Sequence, residues 1–429
     1  MKTLLVALAI GVVALSAFAH DYTPGPKQDH PVLLKGGTLY TVSDGVKTHT
    51  DLLFDNGRIT QIAENITPPD NAEVIDVTGT CVYPGLIAAG TSLGLIEIGA
   101  VQSTDDRGEL GKINPDVSAA MAYNPDSEIL PTVRSNGIAY AQIVPGGNML
   151  RGRSCLLNLD AWTREDAAER LNVGLHLTWP AVGVSHAWYE QRTPEQQKEA
   201  QRRAREELRQ AFEDALAYKR AKDANPNIDI DSRWESMLPV FTGELPIFIN
   251  ADDLRQIEEA IHFADEFGFR MVLVSGDDAW KATDLLKRYD IPVIYGDCRG
   301  LPPRQDEPYD LAFAVPHLLQ QAGVKFCIGS WGATGVRNLP FDAAQAVAFG
   351  LSREDALRAI TLSAAEILGD GEQTGSLTVG KKATIVVSRG DILDVLTHGV
   401  TRMWIGGRAV DLDNKHKELY RKYSEKKLD

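Results

Sequence analysis

The chain has 429 residues with 44 Lys+Arg against 59 Asp+Glu, a formal net charge of −15. That balance excludes the Lys/Arg fields that nucleic acid or anionic membrane surfaces require. The length exceeds what one small core organises, so one large domain with a satellite is expected.

In chain order, the N-terminus reads first as a processing signal over residues 1–19. Lys2 precedes an apolar run from Leu4 to Leu15, too short to span a bilayer comfortably, and Ala17-Phe18-Ala19 forms a small-x-small cleavage site. Removing it leaves 43 Lys+Arg against 59 Asp+Glu, or −16. Export, to a periplasm, is the expectation, with no membrane span in the mature chain. Cys81, Cys155, Cys298 and Cys327 form no Cys-x-x-Cys pair. Cys155 and Cys327 lie in apolar strand-like runs, which favours buried thiols over bridges, although export permits disulfides.

Residues 20–83 read as short strands. Val32–Leu39 is one, and Asp51–Phe54 followed by Asn56-Gly57 and Arg58–Ile62 signals a hairpin. Strands return at Gly375–Val387 and Val400–Arg408, so residues 373–429 are expected to complete a composite β-sandwich with the N-terminal segment. Between them, residues 84–372 alternate strands with helices. Ala139–Val144, Leu245–Ile249, Arg270–Val274 and Val324–Ile328 are strand candidates. Asp252 is a candidate cap for a helix with Leu254, Ile257, Ile261 and Ala264 on one face, ended by Gly268. The repetition suits an eight-stranded (β/α)8 TIM barrel, giving an α/β fold class. Thr193-Pro194-Glu195-Gln196 opens a charged helical insertion over about 193–222, read as a surface helix or as a partner-binding one.

Tyr83-Pro84-Gly85-Leu86-Ile87-Ala88-Ala89-Gly90-Thr91-Ser92-Leu93 resembles the first barrel strand of the amidohydrolase superfamily, where the pattern is Pro-Gly-Leu-Ile-Asp-Ala-His-Thr-His-Leu. Asn56–Ile59, Val74–Gly79, Thr361–Gly369 and Gly375–Val387 are similar to further family segments in matching order. The match covers nearly the whole mature chain and is closest to the exported, imidazolonepropionase-like branch. The resemblance implies a catalytic divalent metal, yet the positions matching its ligands are Gly90, Ser92, Asn250, Ser275 and Trp331. Neither glycine, neutral serine nor tryptophan replaces imidazole or carboxylate as a strong zinc ligand.

No two of the nine histidines are spaced as His-x-His or His-x-x-x-His. His176 aligns loosely with the bridging lysine of some members and is either a ligand or a hydrogen-bonded polar residue. Glu97, Asp105, Asp106 and Glu109 suit a hard cation such as calcium, or form a solvated acidic loop. Ser92, Ser275 and Ser330 have no evident paired base for nucleophilic catalysis. The loop Gly146-Gly147-Asn148 is either an anion cradle or a tight turn. Arg337 is either a carboxylate fork or a loop pin. Trp179 and Trp331 are either ligand platforms or core residues.

The expected function is an exported amidohydrolase-like protein with a degenerate metal site that binds a small molecule or partner without hydrolysis. The alternatives are an active hydrolase of carbon–nitrogen bonds in an amide, cyclic imide or dipeptide, and an assembly protein acting through its insertion helix. No cofactor is expected, zinc entering only through an atypical site, and a homo-oligomer remains open.

Overall fold

The computed structural model describes residues 23–296 and 298–426, so the expected signal segment lies outside the described residues. Strands β1 (Val32–Tyr40), β2 (Val46–Asp55), β3 (Arg58–Ala63), β4 (Glu73–Asp76) and β5 (Cys81–Pro84) open the chain. At the β2–β3 turn Asn56 and Gly57 both take positive φ, 49° and 75°. That conformation matches the right-handed twist of a hairpin and explains why Asn-Gly stands there.

The chain then enters the second sheet through β6 (Leu86–Thr91), β7 (Ile138–Ile143), β8 (Leu150–Asn158), β9 (Ala168–Thr178), β10 (Ile247–Ala251), β11 (Met271–Ser275), β12 (Val293–Tyr295) and β13 (Phe326–Ile328). These eight strands pair in sequence order. A bridge between Ala89 and Gly329, with Ser330 N–H donating to the Ala89 carbonyl at 3.0 Å, links the last strand to the first. β8 runs antiparallel to both its neighbours, whereas the other pairings are parallel. The reason is local: only residues 144–149 separate β7 from β8, too few for a parallel crossover. Leu86, Ile87, Ile138, Leu175, Ile249, Leu273, Ile294 and Cys327 fill one continuous core around this sheet.

After the barrel, β14 (Ile385–Ser388), β15 (Val400–Ile405) and β16 (Arg408–Ala409) return to the first sheet. Their order is β16-β15-β14-β5-β1-β2-β3, with β4 on β1, so both chain ends build one sheet. The strand expected over Gly375–Val387 is confined to its end. Gly375 and Gly380 take φ of 83° and 93°, which breaks the extended run before Ile385.

The helices follow their caps. Pro194–Ala224 starts with Thr193 and Gln196 bonded reciprocally as a capping box. It buries Leu208, Ala211, Phe212 and Ala215 and exposes its charged face, as a helix lying on the barrel does. Helix Leu254–Phe267 is capped by Asp253, one residue later than expected. Asp252 instead accepts from Gly276 N–H at 3.2 Å, joining the ends of two adjacent strands. Gly268 ends the helix at φ 72°. All four cysteines are free; Cys155, Cys298 and Cys327 are buried. Burial raises the Cys155 thiol to about 12, so it is inert at neutral pH. Among the described residues no helix is long and apolar enough to cross a membrane.

Candidate functional site at the barrel mouth

The C-terminal ends of the parallel strands converge on one mouth, where a barrel of this type presents its functional groups. Three strand ends carry glycine there: Gly90 on β6, Gly296 after β12 and Gly329 after β13. A Cβ added at Gly90 or Gly296 would fall inside the Trp331 indole, and one at Gly329 would lie 3.4 Å from its far edge. Gly90 also takes φ +80°, a conformation that L side chains rarely adopt. The indole therefore lies across a glycine platform, 37% exposed.

Beneath it runs a buried polar chain. Gly90 N–H donates to Gln142 Oε1 at 3.1 Å, and Gln142 Nε2 donates to Ser154 Oγ at 3.0 Å. Ser154 Oγ meets His176 Nε2 at 2.8 Å. The imidazole stacks on Phe248 at 4.9 Å between centroids. Burial, reinforced by the charge of Arg151, holds His176 well below the usual histidine range, so it is neutral at physiological pH. Its Nδ1 is buried without a partner.

Arg151 stands near this chain, close enough for its charge to act on His176, but is bonded to Asn250 and to no member of the chain. The β8–β9 register slips between Leu150 and Gly152, and Gly152 takes φ 115°. Such a bulge re-aims a side chain that regular pleating would send elsewhere. Arg151 Nη2 donates to Asn250 Oδ1 on β10, across β9. Its Nε–H is buried without an acceptor. Burial lowers the guanidinium to about 10, which still leaves it charged at neutral pH.

A divalent ion does not fit this donor set. Gly90 and Trp331 supply no ligand atom, and the Asn250 oxygen already accepts from the Arg151 guanidinium, a positive charge beside that position. Ser92 Oγ is buried without a partner, but a lone neutral hydroxyl is a weak ligand. Ser275 ends β11 in a left-handed conformation, φ 74°. Among the described residues no three His, Cys, Asp or Glu side chains converge on a metal-sized site.

The remaining sequence candidates go elsewhere. Trp179 is buried, donates from Nε1 to Glu259 at 3.1 Å and packs edge-on against Phe263, so it locks a helix to the barrel and offers no ligand platform. Gly146 uses its N–H on the Arg107 carbonyl and Asn148 donates to the Gly111 carbonyl at 3.3 Å. That ties two loops together and removes an amide that an anion cradle would need. Gly147 lies over the Arg151 stem, its added Cβ 3.4 Å from Arg151 Cγ. Arg337 sits in the turn Gly335–Asn338, whose Arg337 carbonyl accepts from Asn136 at 2.8 Å, outside the Gln142–His176 chain. In the acidic loop, Arg107 pairs with Asp105 at 2.6 Å. Gln142, Ser154 and Arg151 were the residues sequence reasoning passed over. A glutamine inside the apolar run Ile138–Ile143 was the signal available for the first.

A family model described as "Amidohydrolase family" matches residues 311–410. The crystal structure of an amidohydrolase from Thermotoga maritima MSB8 superposes with a TM-score of 0.78 at 25% identity, covering 89% of this chain and 99% of that one. A structure of molinate hydrolase superposes at 0.54 with 15% identity, covering 90% and 95%, a likeness of fold. An amidohydrolase, tasK, of Hapsidospora irregularis is 22% identical over 402 residues, 84% of this chain but 39% of that protein. A dihydroorotase of Bacillus thuringiensis is 51% identical over 55 residues, 13% of this chain and 12% of its own length. The chain thus spans well under half the length of these curated relatives.

Proposed function

We propose, from the premise that this chain belongs to the amidohydrolase superfamily, that its barrel mouth binds a small molecule and does not perform metal-assisted hydrolysis. One observation carries the reading. The Trp331 indole and the Arg151 guanidinium occupy the mouth together, resting on Gly90, Gly296 and Asn250. Metal-assisted hydrolysis needs a Lewis acid to activate water and a group to move its proton. A fixed positive charge repels the ion, and His176, the one buried histidine among the described residues, is hydrogen-bonded beneath the mouth, away from solvent. The leader-like residues 1–19 favour an exported setting.

The test is turnover of Xaa-Pro dipeptides, cyclic imides and N-acyl amides by the purified chain, with zinc, manganese or cobalt supplied. No ion-dependent hydrolysis is expected. Saturable hydrolysis abolished by a chelator and restored by one of these ions would overturn the reading.

A further inference from the structure

Resting on that reading of the mouth, we infer that Arg151 makes it a site for an amphipathic monocarboxylate, with the carboxylate on the guanidinium and the apolar body against Trp331. The first support is a charge without a counter-charge. Arg151 is bonded to a neutral amide, Asn250, whereas the fully buried Arg134 has the Asp160 carboxylate at 3.2 Å. A buried cation without an anion is costly, and a ligand carboxylate removes that cost.

The second support is donor geometry. A guanidinium presents five N–H groups in a planar fork suited to a carboxylate. Nη2 reaches Asn250, and the Nε–H, one arm of the fork, is buried with no acceptor. The third is access. Arg151, Asn250 and Gly90 keep partial exposure, while Gln142, Ser154 and His176 below them are buried. Arg151 is therefore partly open to solvent at the floor of the mouth, although its Nε–H is itself covered.

The fourth is the rim. Ile98, Leu110, Trp188, Leu301 and Trp331 are large apolar side chains left exposed on the loops that follow β6, β9, β12 and β13. Apolar surface around a polar floor fits a ligand with one charged end.

The experiment is calorimetric titration of the full chain with acetate, phenylacetate and indole-3-acetate and with the corresponding primary amides. Affinity is expected to rise with the apolar body, and each arylacetate to bind at least about tenfold more tightly than its amide. Arg151→Met should erase that preference. Asn250→Asp, which gives Arg151 an internal carboxylate, should weaken carboxylate binding by about tenfold or more with the fold intact. Trp331→Ala should weaken the arylacetates and leave acetate unchanged. Equal binding of acids and amides, an acid preference that survives in both Arg151→Met and Asn250→Asp, or no binding by any acid would overturn the inference. Ion-dependent hydrolysis would overturn the functional reading alone, because the acid preference and its dependence on Arg151 are read without turnover.

Discussion

Arg134, buried on the helix Ile129–Arg134, and Arg151, half-buried on β8, lie near opposite ends of β8 and have different partners. Arg134, fully buried, donates to the Leu159 carbonyl at 2.6 Å and to Asp160 at 3.2 Å. Asp160 in turn accepts from Gly25 N–H, and its carbonyl accepts from Arg408 of the first sheet. At that end a charge has a carboxylate partner and ties the barrel to the sheet. At the mouth a charge is held by a neutral amide. We read the first arrangement as a contribution to stability and the second as the recognition proposed above.

The largest effect should come from unpairing Arg134. Asp160→Ala leaves a buried guanidinium without its anion and should cost about 3–5 kcal/mol in denaturant unfolding. A loss under about 1 kcal/mol would make the two arginines equivalent and remove the contrast.

Next comes the platform. Gly90→Ala puts a side chain at positive φ and into the Trp331 ring, and should cost about 2–3 kcal/mol. In the Trp331→Ala background the cost should shrink, with a coupling of about 1–2 kcal/mol in the double-mutant cycle. Additive effects would mean that the indole does not rest on Gly90.

Acid dependence is smaller. His176 is held neutral in the fold, below the 6.5 of the unfolded chain. Protons therefore bind the unfolded chain first, and stability falls as pH drops below 6.5. Between pH 6.5 and 5.5 wild type should lose about 1 kcal/mol relative to His176→Gln. Parallel profiles for the two proteins would place the imidazole in contact with solvent.

The smallest effect is expected at Arg151 itself. Arg151→Met removes an unpaired charge and leaves one amide oxygen unsatisfied, two changes of opposite sign, so stability should stay within about 1 kcal/mol of wild type. A loss near that of Asp160→Ala would assign Arg151 a structural role.

Much of the fold was legible because its signals are local. Asn56-Gly57 specifies its turn and Thr193-Gln196 its capping box, each through bonds between near neighbours. The glycine at 90 and the tryptophan at 331 were legible one at a time. Their coupling was not, since it arises only when β6 and β13 meet across the barrel closure. Arg151 was missed because the bulge that turns it inward depends on β8 pairing with β9. Trp179 and the Gly146 loop drew attention as residue types suited to ligands, but partners distant in sequence, Glu259 and Arg107, give them structural work.

The most direct measurement is the zinc content of the purified chain, by mass spectrometry after zinc loading and gel filtration. With Arg151 and Trp331 in the mouth, retained zinc should fall well below about one ion per chain. About one tightly held ion per chain, lost on mutating mouth residues, would contradict the proposed metal-free binding site.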